Sequence, residues 1–157
     1  MKCKGWLYRW VIPNPTDAIA LEQTARYPVK IVQDGDDFIL YIGETVRADR
    51  LLRHERIADS TGTAPRRTFE VLWPGQLKSW FEAGRIVVQE IEELVIDLDD
   101  DLPPKEQRRL LKNALRARET QLLLQFPISP PLNVQAPNSQ LEGIGIIMTE
   151  LQALRRR

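Results

Sequence analysis

The sequence predicts an α+β fold: a small central antiparallel or mixed sheet of about three strands, flanked by helices and followed by a C-terminal helical extension. Three observations lead there. Segments rich in aromatic and β-branched residues recur at 5–12, 38–43 and 86–98. Turn chemistry follows the first of them (Pro13-Asn14-Pro15) and precedes the second (Asp34-Gly35). A charged segment of helical period covers 105–126 and is closed by Pro127, Pro130 and Pro131.

Taken in order, GWLYRWVI at 5–12 reads as a strand, and 16–26 as a short helix. PVKIV and FILYIG, joined by QDGDD, read as a β-hairpin, for which Asp34-Gly35 supplies the turn. Residues 45–57 read as a charged helix with Val46, Leu52 and Ile57 inward, and 59–65 as a loop. QLKSWFEA at 76–83 reads as a helix stopped by Gly84, and IVVQEIEELVIDL as a strand. The acids of DDDLPP oppose the positive end of the next helix, and Pro104 suits its first turn. Residues 140–157 form an amphipathic pattern, with Leu141, Ile144, Met148, Leu151 and Leu154 on one stripe and Arg155–Arg157 at its end. We divide the chain into a domain at 1–136 and a helix at 137–157. The stripe of that helix serves as a core cap or as the seam of a homodimer, and both readings stay open.

The 157 residues suffice for one compact domain, and 43% apolar with 28% charged residues is ordinary for a globular chain. A lone Cys3 excludes an intrachain disulfide. No segment has the length and hydropathy of a signal peptide or a membrane span, so the expected location is the cytoplasm, with no membrane partner. Lys and Arg total 22, as do Asp and Glu, which argues against coating nucleic acid by bulk charge. The placement is uneven. Lys105, Arg108, Arg109, Lys112, Arg116 and Arg118 face one acid, Glu106, whereas Glu90, Glu92, Glu93, Asp97 and Asp99–Asp101 precede them.

Two groups of residues carry candidate chemistry. Tyr41-Ile42-Gly43 is followed by Arg50 and His54, which share one helix face at i, i+4, with Arg53 beside them. Farther on, Glu119 shares a helix side with Arg108, Lys112 and Arg116, and Asn133 closes the proline-rich exit. Singly, each has an ordinary explanation: a packed strand tyrosine, a wet helix surface, a salt-bridged glutamate, a turn asparagine. Together, a carboxylate on a basic stripe suits a hard divalent ion with phosphates alongside.

Y-I-G-x-T-x4-R-x3-H, then a distant helical Glu, then P-L-N, resembles the GIY-YIG nuclease domain over most of residues 5–133. The matching residues are Tyr41, Gly43, Arg50, His54, Glu119 and Asn133. The first motif departs: Trp6-Leu7-Tyr8 stands where the family has Gly-Ile-Tyr, with Gly5 one position early. Tyr8 then fills the first tyrosine position. A rival register places Val29 there and leaves Tyr27 nearby. The resemblance implies a GIY-YIG-like fold and a DNA endonuclease using Mg²⁺ or Mn²⁺ held by Glu119. It further implies Tyr8 as base, Tyr41 orienting water or phosphate, Arg50 on the non-bridging oxygens, His54 assisting and Asn133 bracing the Glu119 side. Gly43, Arg53, Arg108, Lys112 and Arg116 would lie against the nucleic acid. The alternative is a catalytically degenerate module of the same fold that binds DNA or protein, motivated by Trp6.

Overall fold

The computed structural model describes residues 1–47 and 64–140. Within them lie β1 (Lys2–Ile12), α1 (Pro15–Thr24), β2 (Val32–Asp34), β3 (Asp37–Thr45), α2 (Ala64–Leu72), α3 (Leu77–Glu82), β4 (Val87–Asp97) and α4 (Pro104–Leu123). The architecture is α+β. The described strands form one sheet of four in the order β2-β3-β1-β4, every pair antiparallel. This agrees with the expected small antiparallel or mixed sheet of about three strands; among the described residues four strands pair, the shortest being the three-residue β2, which pairs with β3 only from Val32 to Asp34.

Strand alternation sorts β1 between two layers. Tyr8, Trp10 and Ile12 face a core built with Leu21 of α1, Phe69 and Leu72 of α2, and Phe81 of α3. Leu7 packs instead on Leu111 and Leu115 of α4, and Val11 on Leu123. The sheet is thus covered by α1–α3 on one face and by α4 on the other. Burial on both faces explains why β1 reads as a nearly continuous apolar run.

Local chemistry fixes the helix ends. The Asn14 side chain accepts from the Thr16 N–H at 2.9 Å, and Pro15 opens α1. The Trp73 indole N–H donates to the Leu21 carbonyl at 2.7 Å, which ties the end of α2 to α1. Pro104 begins α4. At its far end the Asn138 amide donates to the carbonyls of Leu123 and Phe126, which fixes the chain leaving the helix.

Several sequence expectations change. The helix expected at 16–26 stops at Thr24, and the one expected at 105–126 stops at Leu123. β3 continues through Thr45, so the helix expected from that residue does not begin there. The first hairpin strand shrinks to Val32–Asp34, although Val29 and Ile31 are buried in the core. Of the loop expected at 59–65, residues 64 and 65 open α2, with Pro65 in its first turn, and residues 59–63 lie outside the described residues. The remaining residues of the 45–57 helix, and the 141–157 part of the amphipathic tail, lie outside the described residues. Among the described residues, no helix is long and apolar enough to cross a membrane.

Gly5 sets the distance between α4 and the sheet. A Cβ there would lie 2.5 Å from one methyl of Leu115 and 3.0 Å from the other. Gly5→Val is expected to destabilise by roughly 1–3 kcal/mol through overpacking. Adding Leu115→Ala should cost less than the sum of the two single changes, because each relieves the other. Chemical denaturation of the two single variants and the double variant checks this; strict additivity would contradict the contact.

Candidate active site

The site is built around β3. Tyr8 pairs with Gly43 across the β1–β3 ladder, and Trp10 pairs with Tyr41. All four therefore share the face toward α1–α3. The absence of a side chain at Gly43 decides what happens next. A Cβ there would lie 2.5 Å from Cε1 of Tyr41 and 2.8 Å from both Cζ and the hydroxyl of Tyr8. Both rings occupy the space that any other residue would fill. They meet edge-on, with centroids 6.0 Å apart and planes at 60°. Tyr41 also meets Trp10 at 5.6 Å, and Trp10 meets Phe81 of α3 at 5.1 Å. An aromatic row thus anchors the Tyr41 ring in the core and aims its hydroxyl at Tyr8.

Burial pushes the Tyr41 phenol well above its ordinary value of 10, and the neighbouring Tyr8, Glu119 and Glu44 push it further. Tyr41 therefore keeps its proton at neutral pH and hydrogen-bonds with Tyr8. Glu119 lies one helical turn beyond Leu115, half-buried at the margin between the apolar face of α4 and its solvent side. Its carboxyl is raised from 4.5 to about 7, first by burial and next by Glu44, while Arg116 pulls the other way. Arg108, Lys112 and Arg116 are all exposed along α4 beside it.

Glu44 was not picked out from the sequence. It follows Gly43 directly, so only the strand register reveals its direction. Its neighbours on that face, Ile42 and Val46, pack in the clusters formed with α4, and Glu44 pairs with Leu7. Its carboxylate thus leaves β3 on the α4 side, opposite to Tyr41 and Gly43. The tyrosines and the carboxylates approach one segment of β3 from its two faces, close enough for both acids to act on the Tyr41 phenol.

Asn133 is buried, at 6% exposure, and both ends of its amide are engaged. Its Oδ1 accepts from the Ile42 N–H at 2.9 Å, and its Nδ2 donates to the Ile42 carbonyl at 2.7 Å. The Leu132 N–H donates to the Leu40 carbonyl at 3.0 Å. Beyond Ile39, β2 no longer covers this margin of β3, and residues 132–133 stand in for the missing strand. Asn133 thus braces the strand of Tyr41 and Gly43, not the Glu119 side as expected.

The structure brings together Tyr8, Tyr41 and Gly43; Glu119 lies on α4, across the sheet from the tyrosine rings. Tyr27, the other candidate for the first tyrosine position, lies apart from Gly43, which Tyr8 and Tyr41 meet. It follows α1, packs at the edge of the core and carries the Arg26 guanidinium over its ring at 5.6 Å. Arg50, Arg53 and His54 lie outside the described residues. A separate cavity of about 250 Å³ opens beside Arg9, Ile42 and Phe126. Arg9 is already paired there with Asp34 at 3.0 Å and Asp37 at 2.8 Å. Comparison with protein-family models, curated proteins and solved structures yields no match.

The one donor that the site offers a hard divalent ion among the described residues is the Glu119 carboxylate. Glu119 offers a carboxylate whose charged form is penalised by burial, a penalty that a cation relieves. Among the described residues, no group of three or more His, Cys, Asp or Glu side chains is placed to hold a metal. The remaining ligands would be water and substrate oxygens, as suits Mg²⁺.

Two outcomes follow. In the folded state Glu119 retains a proton that the unfolded chain releases near 4.5. Its stabilising contribution is complete below that pH and is lost as pH rises toward about 7. Glu119→Gln should remove this component, so calorimetry at pH 8 should find the variant melting higher than the parent, by roughly a few degrees. Asn133→Ala strands two buried backbone groups of Ile42, at roughly 1–3 kcal/mol each. Faster amide exchange at Ile42 is the specific signature; unchanged exchange would show that the brace is dispensable.

Proposed function

We propose that the chain is a metal-dependent endonuclease of GIY-YIG type that hydrolyses DNA phosphodiester bonds. The observation carrying this reading is the convergence of Tyr8 and Tyr41 over Gly43, with the Glu119 carboxylate among the charges that raise the Tyr41 phenol. The tyrosines at the two motif positions, 33 residues apart in sequence, come from two paired strands and share one hydrogen-bonded contact. Generic packing of aromatic residues does not require a missing Cβ or two carboxylates beside it.

The chemistry divides among these groups. Tyr41 holds its proton and donates its single O–H to the Tyr8 hydroxyl. Tyr8, at the first tyrosine position of the motif, is the base that removes the proton from attacking water. A divalent ion on Glu119, when bound, supplies Lewis-acid stabilisation of the phosphate oxygens. Arg108, Lys112 and Arg116 form an exposed stripe that pairs with backbone phosphates and places the duplex along α4. Arg50 and His54, assigned from the sequence motif alone, add a fork for the non-bridging oxygens and a proton-transfer group.

One observation favours a second reading, a DNA-binding module without catalysis. Trp6 is half-buried and shares the β1 face that carries Tyr8, two residues away.

Nicking of supercoiled DNA in Mg²⁺ separates the two. Glu119→Gln and Tyr8→Phe should each lower the rate by roughly two to three decades while the protein stays folded and binds DNA. DNA binding by the parent chain without any metal-dependent nicking would favour the module. Retained nicking in both variants would overturn the site assignment.

A further inference from the structure

We infer that Trp6 is a stacking platform for an unpaired nucleobase, so that the preferred substrate is a DNA strand with bases outside a closed duplex. The inference rests on the endonuclease reading for the identity of the polymer; the platform itself is a feature of the sheet. Of the four Trp, three Tyr and four Phe side chains, every one but Trp6 packs in a hydrophobic cluster. α1–α3 cover β1 from Tyr8 onward, and the half-buried Trp6 stands just past the end of that cover, on the same strand face. Lys4 and Lys2 continue this face, both exposed. Across the ladder with β4, Glu93 pairs with Trp6 and Val95 with Lys4, and Val95 is 45% exposed. This end of the sheet therefore presents an indole and a valine to solvent, flanked by charged side chains.

The charges around the indole nearly cancel. Lys4 Nζ lies 3.5 Å from Glu93, and the N-terminal ammonium lies 3.3 Å from Asp97. Such a surface does not grip a phosphate backbone by bulk charge. What it offers is a flat apolar ring, which takes the π-face of any base. A closed duplex hides those faces in its own stack, whereas an unpaired nucleotide exposes them. Trp6 and Tyr8 stand two residues apart, about 7 Å along the strand. That step is comparable to the reach of one nucleotide in an extended strand, so a strand with a phosphate at Tyr8 carries an adjoining base over Trp6.

Fluorescence titration of the full chain with a single-stranded thymidine oligonucleotide, in EDTA so that nothing is cut, tests this. Trp10, Trp73 and Trp80 are buried, at 0%, 0% and 7% exposure, so quenching reports Trp6. The parent should be quenched. Trp6→Leu should abolish the quench and weaken single-strand binding by roughly tenfold, with duplex binding changed by less than about twofold. Trp6→Tyr, which keeps a ring, should retain most of the affinity. No quenching in the parent, or equal single-strand affinity in the parent and Trp6→Leu, would overturn the platform. Faster nicking by Trp6→Gly than by the parent would also overturn it, marking the indole as a plug over the tyrosines. A parent that binds single strands through Trp6 but never nicks DNA in Mg²⁺ keeps the platform and loses the nuclease reading. Nicking that requires Glu119, in a chain whose Trp6→Leu variant binds single strands as tightly as the parent, does the reverse.

Discussion

The arrangement depends on one missing atom. In an antiparallel ladder, the residue opposite Tyr8 normally projects a Cβ into the volume above the strand. Gly43 projects nothing, and the rings of Tyr8 and Tyr41 fill that volume from two strands. The register of β1 against β3 is therefore bound to the chemistry of the site. A slip by one residue would place Glu44 opposite Tyr8 and turn the tyrosines toward different layers. Trp10 and Phe81 extend the same contact into the core, so the position of the Tyr41 hydroxyl is set by packing that reaches α3.

A second glycine acts on the opposite face. Gly5 admits the methyls of Leu115, which draws α4 onto the sheet and carries Glu119 into a half-buried position. Burial then does what sequence position alone does not: it raises the proton affinity of this carboxyl and of the Tyr41 phenol together. Perturbed groups gathered beside an exposed basic stripe are common at functional sites, because the same low-dielectric setting that penalises a charge strengthens its interaction with an ion or phosphate. The buried tether formed by Asn133 holds β3 still along the margin that β2 leaves uncovered.

Much of this was legible in the residues. The strands and α4 announce themselves by β-branched and aromatic runs and by a long helical period between prolines, and the aromatic alternation in WLYRW already places Tyr8 and Trp10 on one face. Gly5 reads as a displaced motif glycine in the sequence, whereas its use is to seat Leu115, a contact with a helix more than a hundred residues away. Asn133 attracts notice as a polar residue among prolines, but whether its amide faces a ligand or a backbone depends on where β2 ends. Glu44 hides because its direction depends on strand register. α2 hides because Pro65 and the β-branched Thr68 and Val71 weaken its helical signal.

The most direct test of the central constraint is Gly43→Ala, followed by the ring resonances of Tyr8 and Tyr41 and by thermal unfolding. A single methyl at this position should displace both rings, shift both sets of resonances and lower the melting temperature, while the Trp73 indole resonance stays in place. Unchanged tyrosine resonances with an unchanged melting temperature would mean that the two rings do not meet over Gly43.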